Sequence, residues 1–587
     1  VIAPMHAQQL ETILQRIEES HMLQNARRVQ DPGLSAYMLL EGEIAVEGQT
    51  VTLWLGLSQS FPLQLPLFFL RPWDALGFIP HVDLSGQICF LDTEGTVLDQ
   101  YRPVDIIGDS LQRAVQTLID GVTGRNKAEF VDEFEVYWHR LRHVASAYTI
   151  LDPADDVREI TIVCQINGDV WITEREADIA DFARQSPQVK TRQWQRAIYI
   201  PLEPGTILIP PRSDQPFWSL NDVRRLCTHL SHQNQKRLRQ LLKGHARASE
   251  YLVFRLPRPS GGANIFSIRF EGLGRYHPLH ECGTAQRLTP VVLQRRERSY
   301  LIQRGGGAMT LTSKRVLLVG CGAIGGYLAL ELARAGIGVL TLVDHDTLTE
   351  DNTFRHVLGR RYWRINKAIA LQHEIQANLP YVRVHALPQR LETILDQGKL
   401  NFADYDLMVI AIGNPTVELM INAHIHTLDH APAAIFTWVE PLGLGGHVLL
   451  INNTRAVGCF ECLYTSPIDG YNLVNRASFA GPGQSFGRAL SGCGSLHTPY
   501  GALDALQTAH LATRLGIDAL IGKETGNPLS SWRGDATSFT AEDFVVSERY
   551  ACTESELLHQ RYHYQSALCR ICGNRGEARH NERTANS

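Results

Sequence analysis

The chain has 587 residues, with 56 Lys and Arg against 61 Asp and Glu, and a formal charge of −5. Its length predicts about three or four domains, and 44% apolar with 20% charged residues excludes a disordered or fibrous chain. The near-balanced charge argues against a general polyanion-binding surface and so against a direct nucleic-acid partner. No apolar run approaches the ~20 residues of a membrane span.

Residues 5–22 read as an amphipathic helix, with Leu10, Ile13, Leu14 and Ile17 on one stripe. Strands are expected at Ala36 to Val46, Val51 to Leu57 and Leu63 to Leu70, separated by Glu47-Gly48 and by Ser60-Phe61-Pro62. An irregular stretch, Arg71 to Arg102, leads to helical patterns at Val104 to Ile119 and Ala128 to Leu141. Helix, three-strand meander, long loop and helices make an α+β domain over residues 1–147. Residues 148–292 read as a separate α+β middle domain of unassigned role. It has strands at Ile160 to Ile166, Ala197 to Ile200 and Tyr251 to Leu256, and a helix at Asp222 to Leu242. The basic run Lys236 to Arg247 fits a solvated helix face. From residue 293 to 574 strands and helices alternate: strand Arg315 to Val319, helix Gly325 to Ala335, strand Val339 to Val343, strand Leu407 to Ile412. This is a βαβ progression and a doubly wound, mostly parallel sheet. Residues 575–587 are a polar tail expected to be disordered. The chain as a whole is multidomain α/β.

The strand RVLLV runs into Gly320-Cys-Gly322-Ala-Ile-Gly325 and a helix. Glycines let the backbone approach phosphate, and the helix start favours anions. Asp344 ends the next strand, where a carboxylate can hold ribose hydroxyls. Asp346, Asn352, Arg355 and Lys367 follow directly. A dinucleotide has no need of this amide and these cations, whereas a triphosphate does. The spacing resembles the adenylation domain shared by ubiquitin-activating enzymes and the molybdopterin- and thiamine-pathway adenylyltransferases. That resemblance implies ATP with Mg²⁺ and an arginine upstream of the first strand reaching the phosphates, for which Arg298 and Arg304 are candidates. The family's Mg²⁺-binding Asp after the fourth strand is absent; the sequence there reads Ile412-Gly413-Asn414-Pro415, leaving Asn414 and Asp346 as candidates.

Eleven cysteines, an odd number, point to a reducing compartment. Cys459-Phe-Glu-Cys462 and Cys569-Arg-Ile-Cys572 are two knuckles that suit tetrahedral Zn²⁺ with no open position, hence a structural metal. Cys493, in Ser491-Gly-Cys-Gly-Ser-Leu-His497, lies where activating enzymes carry a catalytic cysteine; Cys552 is the alternative. In the N-terminal domain, Ile79-Pro80-His81 precedes Ile88-Cys89 by the interval found in ubiquitin-conjugating enzymes, where His-Pro-Asn stands eight residues before Cys. The family's Asn is His81 here, an imidazole able to donate to the thioester oxyanion.

Together the two halves resemble the bacterial fused activating–conjugating proteins of antiphage CBASS operons. The resemblance implies a cytoplasmic bacterial enzyme that adenylates the C-terminal glycine of a cGAS-like nucleotidyltransferase. The acyl group then passes through a cysteine of the activating domain to Cys89 and on to lysine amines of target proteins. It also implies a homodimer through the adenylation domain. A sulfur-carrier adenylyltransferase would explain residues 295–575 alone, and a non-catalytic scaffold would keep the knuckles but not the thiols.

Overall fold

The computed structural model describes residues 7–175, 178–179, 182, 191–243, 249–489 and 496–573. They fall into two compact units, Val1–Glu176 with Lys190–Gln294, and Ala177–Val189 with Arg295–Ser587.

The first unit opens with the helix Ala7–Glu19, whose Leu10, Ile13, Leu14 and Ile17 are all buried. A four-stranded antiparallel sheet follows, β1 (Gln24–Val29), β2 (Tyr37–Val46), β3 (Gln49–Ser58) and β4 (Leu67–Arg71), in that order. Along β3, Val51, Leu53, Leu55 and Leu57 alternate inward, so one face closes on the core. The β2–β3 hairpin turns at Glu47 and Gly48, both at positive φ, as a two-residue loop of matching twist requires. The expected three-strand meander gains β1, an edge strand of sequence QNARRV with no buried residue and hence no apolar alternation to read. The helix Pro103–Thr123 covers the sheet with Ile106, Ile107, Leu111, Ala114 and Leu118, and ends at Gly124 in the left-handed region. The single helix expected over Ala128 to Leu141 is two, Glu129–Asp132 and Phe134–His139, broken at Glu133.

The middle segment is a closed seven-stranded barrel rather than a three-stranded α+β layer. Its strands are β5 (Ala145–Thr149), β6 (Arg158–Gln165), β7 (Val170–Thr173), β8 (Thr191–Pro201), β9 (Ser249–Pro257), β10 (Ala263–Glu271) and β11 (Arg287–Arg295). β5 and β7 are too short to show a period, and β11 carries Pro290. The helix expected over Asp222 to Leu242 is also two, Leu220–Leu226 and His232–Leu241; Ser219 and Ser231 each cap a new helix start. Phe134 and Trp138 plug the barrel's flank against Phe266, and the Trp138 indole donates to the Val291 carbonyl at 3.0 Å.

The second unit is built on a seven-stranded sheet. Five strands are parallel: β12 (Arg315–Val319), β13 (Val339–Val343), β14 (Arg383–Leu387), β15 (Leu407–Ile410) and β16 (Ala433–Val439). Two antiparallel strands, β17 (Gly445–Ile451) and β18 (Leu529–Arg533), extend the edge beyond β16. Strands buried on both faces read as continuous apolar runs. In β12, Val316 and Leu318 enter one core with the helices Ala323–Arg334 and Ala502–Leu520, while Leu317 and Val319 enter the other. The carboxyl ends of β12, β13 and β15 open on one cleft. No described helix is long and apolar enough to cross a membrane.

Trp138→Ala should remove about 3–5 kcal/mol from the first unit, as expected for truncating a fully buried Trp. Denaturant unfolding should show that unit's transition moving while the other stays.

Candidate functional site

The cleft at the carboxyl end of the parallel strands has a volume of about 470 Å³ and contains much of the expected nucleotide set. Gly320 sits at φ 91°, and a Cβ there would lie 2.4 Å from the Ala411 carbonyl oxygen. A Cβ on Gly325 would lie 1.9 Å from the Gly320 oxygen, so both positions exclude any side chain. A Cβ on Gly322 would meet nothing within 4 Å: that backbone faces open cleft. The helix Ala323–Arg334 starts there and aims its free amides at the same space.

Asp344 leaves β13 and is locked by two amides, Cys321 N–H to Oδ2 at 2.6 Å and Asp346 N–H to Oδ1 at 2.8 Å. Lys367 Nζ donates to Asp346 Oδ2 at 3.0 Å. Partial burial works against the charge on Asp346, but Lys367, His345 and Arg390 hold its pKa below the ordinary carboxylate value. Asn352, Arg355 and Asn414 also line the cleft. Asn414 caps the helix Pro415–Ile425, and the Arg355 guanidinium lies over the Tyr500 ring at 5.4 Å.

Arg298 and Arg304 do not line this cleft. Arg298 donates to the Thr312 carbonyl at 3.0 Å, and Arg304 is exposed at the end of its helix. The additional cation is Arg390, at the start of the helix Leu391–Asp396, in a stretch with no motif to mark it. Sequence reasoning also missed two braces. His356 Nε2 donates to the Cys321 carbonyl at 2.7 Å, while Nδ1 accepts from Leu358 N–H, and burial lowers its pKa, so the ring is neutral. The Asn366 amide donates to the carbonyls of Asp344 and Asp346.

A second cavity of about 460 Å³ adjoins the first, sharing Gly322, Arg355, Gly413 and Tyr500. Glu418 lies on its wall, deeply buried, accepting from Gly413 N–H at 3.0 Å; burial pushes its pKa up to about 7.

The sulfurs of Cys459, Cys462, Cys569 and Cys572 all lie within 4.8 Å of one another, and all four residues are buried. Gly458 N–H and the Asn422 amide donate to two of them, at 3.4 and 3.6 Å, as thiolate ligands demand. Cys493 lies outside the described residues. Cys552 is half-buried against an apolar cluster containing Phe479 and Leu557, its sulfur 3.9 Å from Gln560 Oε1.

Cys89 is exposed, while Ile88 before it is buried. Its loop is tied to β4 by Ile88 N–H to the Phe68 carbonyl and Leu70 N–H to the Gly86 carbonyl. Asp83 Oδ1 accepts from the amides of Ser85 and Gln87, and Cys89 N–H donates to the His81 carbonyl at 2.8 Å. His81 has a φ of 63° and its N–H reaches the Tyr137 hydroxyl. The ring lies between two carboxylates: Nε2 is paired with Glu129, and Nδ1 is 3.1 Å from Glu133, off the line of a hydrogen bond. The nearness of the Cys89 sulfur and the Glu133 carboxylate, opposed by burial and aided by Glu129, pushes the His81 pKa up to about 10. The sequence reading gives one His81 N–H to an oxyanion. In the structure the ring nitrogens face two carboxylates and Cys89, and the raised pKa favours the protonated ring beside the sulfur.

Residues 296–516 match the ThiF family, and residues 17–146 match the prokaryotic E2 family B. The ATP-dependent ubiquitin transferase-like protein Cap2 of Pseudomonas aeruginosa is 26% identical over 466 residues, covering 76% of this chain and 81% of that one. Cap2 of Escherichia coli is 25% identical, covering 75% and 80%. The adenylyltransferase and sulfurtransferase uba4 of Aspergillus clavatus is 32% identical, but over 29% of this chain and 35% of that one. An adenylation domain and a conjugating domain in one polypeptide define an ATP-using enzyme that both activates and conjugates. The two domain matches make this a fused activating- and conjugating-like protein, similar over three quarters of its length to the Cap2 proteins of CBASS, and its activity is ATP-dependent ubiquitin-like conjugation.

Because the His81 pKa is raised from 6.5 to about 10, the clamp's contribution to folding is complete below pH 6.5 and is lost as pH rises through about 10. The denaturation midpoint of the first unit should fall towards that pH in the parent and much less in His81→Gln. Equal profiles would mean a neutral ring.

Proposed function

We propose that this enzyme adenylates the C-terminal carboxylate of a cGAS-like nucleotidyltransferase, carries the acyl group as a thioester to Cys89, and joins it to lysine amines of target proteins, priming CBASS signalling. The observation that carries the reading is the pairing, in one chain, of a glycine-lined anion cleft with an exposed thiol beside a clamped imidazole.

In this reading Asp344 holds the ribose hydroxyls, and the amides after Gly320 with Lys367, Arg355 and Arg390 hold the phosphates. A carboxylate oxygen of the donor attacks the α-phosphorus and pyrophosphate leaves. Asp346, with Asn414 nearby, would hold Mg²⁺, which neutralises phosphate charge when bound. A thiolate then attacks the acyl carbon and AMP leaves. Cys493 is the first thiol in this sequence, and the packing of Cys552 among apolar side chains favours that choice over Cys552. Exchange of the thioester onto Cys89 needs the attacking sulfur as thiolate. A homodimer through the adenylation domain is part of the proposal, with exposed Phe354 and Leu503 as available apolar surface. A sulfur-carrier adenylyltransferase would use the same cleft but leave the Cys89 loop without a task.

Lys367→Ala and Asp344→Ala should each depress donor-dependent ATP–pyrophosphate exchange by about 10²–10³. Exchange at the parent rate in both would end the adenylation assignment of this cleft. In Cys493→Ala, AMP should still be joined to the donor while the Cys89 thioester disappears; loss of that thioester in Cys552→Ala instead would transfer the role.

The four-cysteine cluster would hold structural Zn²⁺, and its sulfurs receive the N–H donors that suit such a site. Cys462→Ser should lower the melting temperature of the second unit and leave the first unchanged. Freshly purified protein with no bound zinc would contradict the assignment.

A further inference from the structure

Glu133 closes the one-turn helix that Glu129 opens, its N–H on the Glu129 carbonyl at 3.0 Å, and both carboxylates reach the His81 ring. Like charges so placed repel unless a cation lies between them, and here His81 does. The two contacts are not equivalent. Glu129 takes Nε2, while a Glu133 carboxylate oxygen, a His81 ring nitrogen and Cys89 Sγ all lie within 4.8 Å of one another. The Glu133 side chain is 30% exposed. Other groups facing this corner are Tyr137, whose hydroxyl accepts the His81 amide, and the Asp83–Arg140 pair. Phe78 packs on Phe130 and Tyr137 and fixes the loop to the helices that carry the carboxylates.

We infer that Glu133 is the general base for amine attack on the Cys89 thioester, and that Glu129 is a positioning residue that holds the His81 cation against the departing sulfur. The inference rests on the reading of Cys89 as acyl carrier. The lysine approaches as free amine. Its nitrogen forms the bond to the acyl carbon, and the proton this makes acidic goes to the Glu133 carboxylate. The carbon–sulfur bond breaks with its electron pair on Cys89 Sγ, where the imidazolium balances the new negative charge. Glu133 later returns its proton to solvent. A carboxylate suffices because the nitrogen becomes strongly acidic as the bond forms.

The test uses the full chain, charged at Cys89 with a short synthetic glycyl-peptide thioester and checked by peptide mass spectrometry. Single-turnover discharge is then followed with lysine and, separately, with 2-mercaptoethanol. The two nucleophiles attack the same carbon and expel the same sulfur, but a thiolate has no proton to lose. Glu133→Gln should charge normally, discharge to lysine about 10²-fold more slowly, and slow discharge to the thiol far less, by only the share of the His81 charge that Glu133 supports. Glu133→Asp should recover part of the lysine rate. Glu129→Gln should slow both nucleophiles and bring a rate inflection near the ordinary imidazole pKa of about 6.5. Equal slowing of both nucleophiles in Glu133→Gln, or no slowing of either, would overturn the base assignment while leaving Cys89 as carrier. Failure of the parent to charge at Cys89, or to release its acyl group to any amine, would remove the carrier reading and this inference with it.

Discussion

A strand with apolar neighbours on both faces has no side on which to offer a polar group. β12 is such a strand, so its chemistry is delivered where it ends. Gly320 turns the chain there at an angle that other residues resist, and Gly325 lets the helix pack back against the turn. The rest of the cleft depends on that turn. Asp344 grips it through the Cys321 amide, and His356 grips it through the Cys321 carbonyl. Both grips hold the turn by its backbone, and at Gly322 that backbone still faces open cleft.

The conjugating side solves a different problem. A thiol must be exposed to receive and release a bulky acyl group, yet its surroundings must be fixed. Burial of Ile79, Val82 and Ile88 anchors the loop, and Cys89 stands proud of that anchor. The polar surroundings come from elsewhere in the chain, through the helices Glu129–Asp132 and Phe134–His139. Those helices also reach the barrel through Phe134 and Trp138. The middle segment therefore buttresses the elements that carry the two carboxylates.

What could be read from sequence was contiguous. The glycine loop, Asp344 to Lys367 and the two cysteine knuckles each carry their spacing within a short stretch, and the structure brings the first two to one cleft and the four sulfurs to one cluster. What could not be read depends on distant partners. Glu129 is 48 residues from His81, and nothing in either segment advertises the pairing. Arg390 enters the cleft from a helix start with no motif. β1 was invisible because an exposed edge strand needs no apolar face. The helix breaks at Glu133 and after Leu226 were hidden because the flanking apolar spacing continues across them.

The two cysteine knuckles stand 110 residues apart in sequence and meet in space. When an ion joins their sulfurs, the chain between them becomes a ring rather than an open strand. Ring closure costs entropy that grows only with the logarithm of length, so a long insertion is held almost as firmly as a short one. A segment in such a ring can travel, but both of its ends return to the same point. The tether sets an upper limit on how far any thiol within the ring can stray.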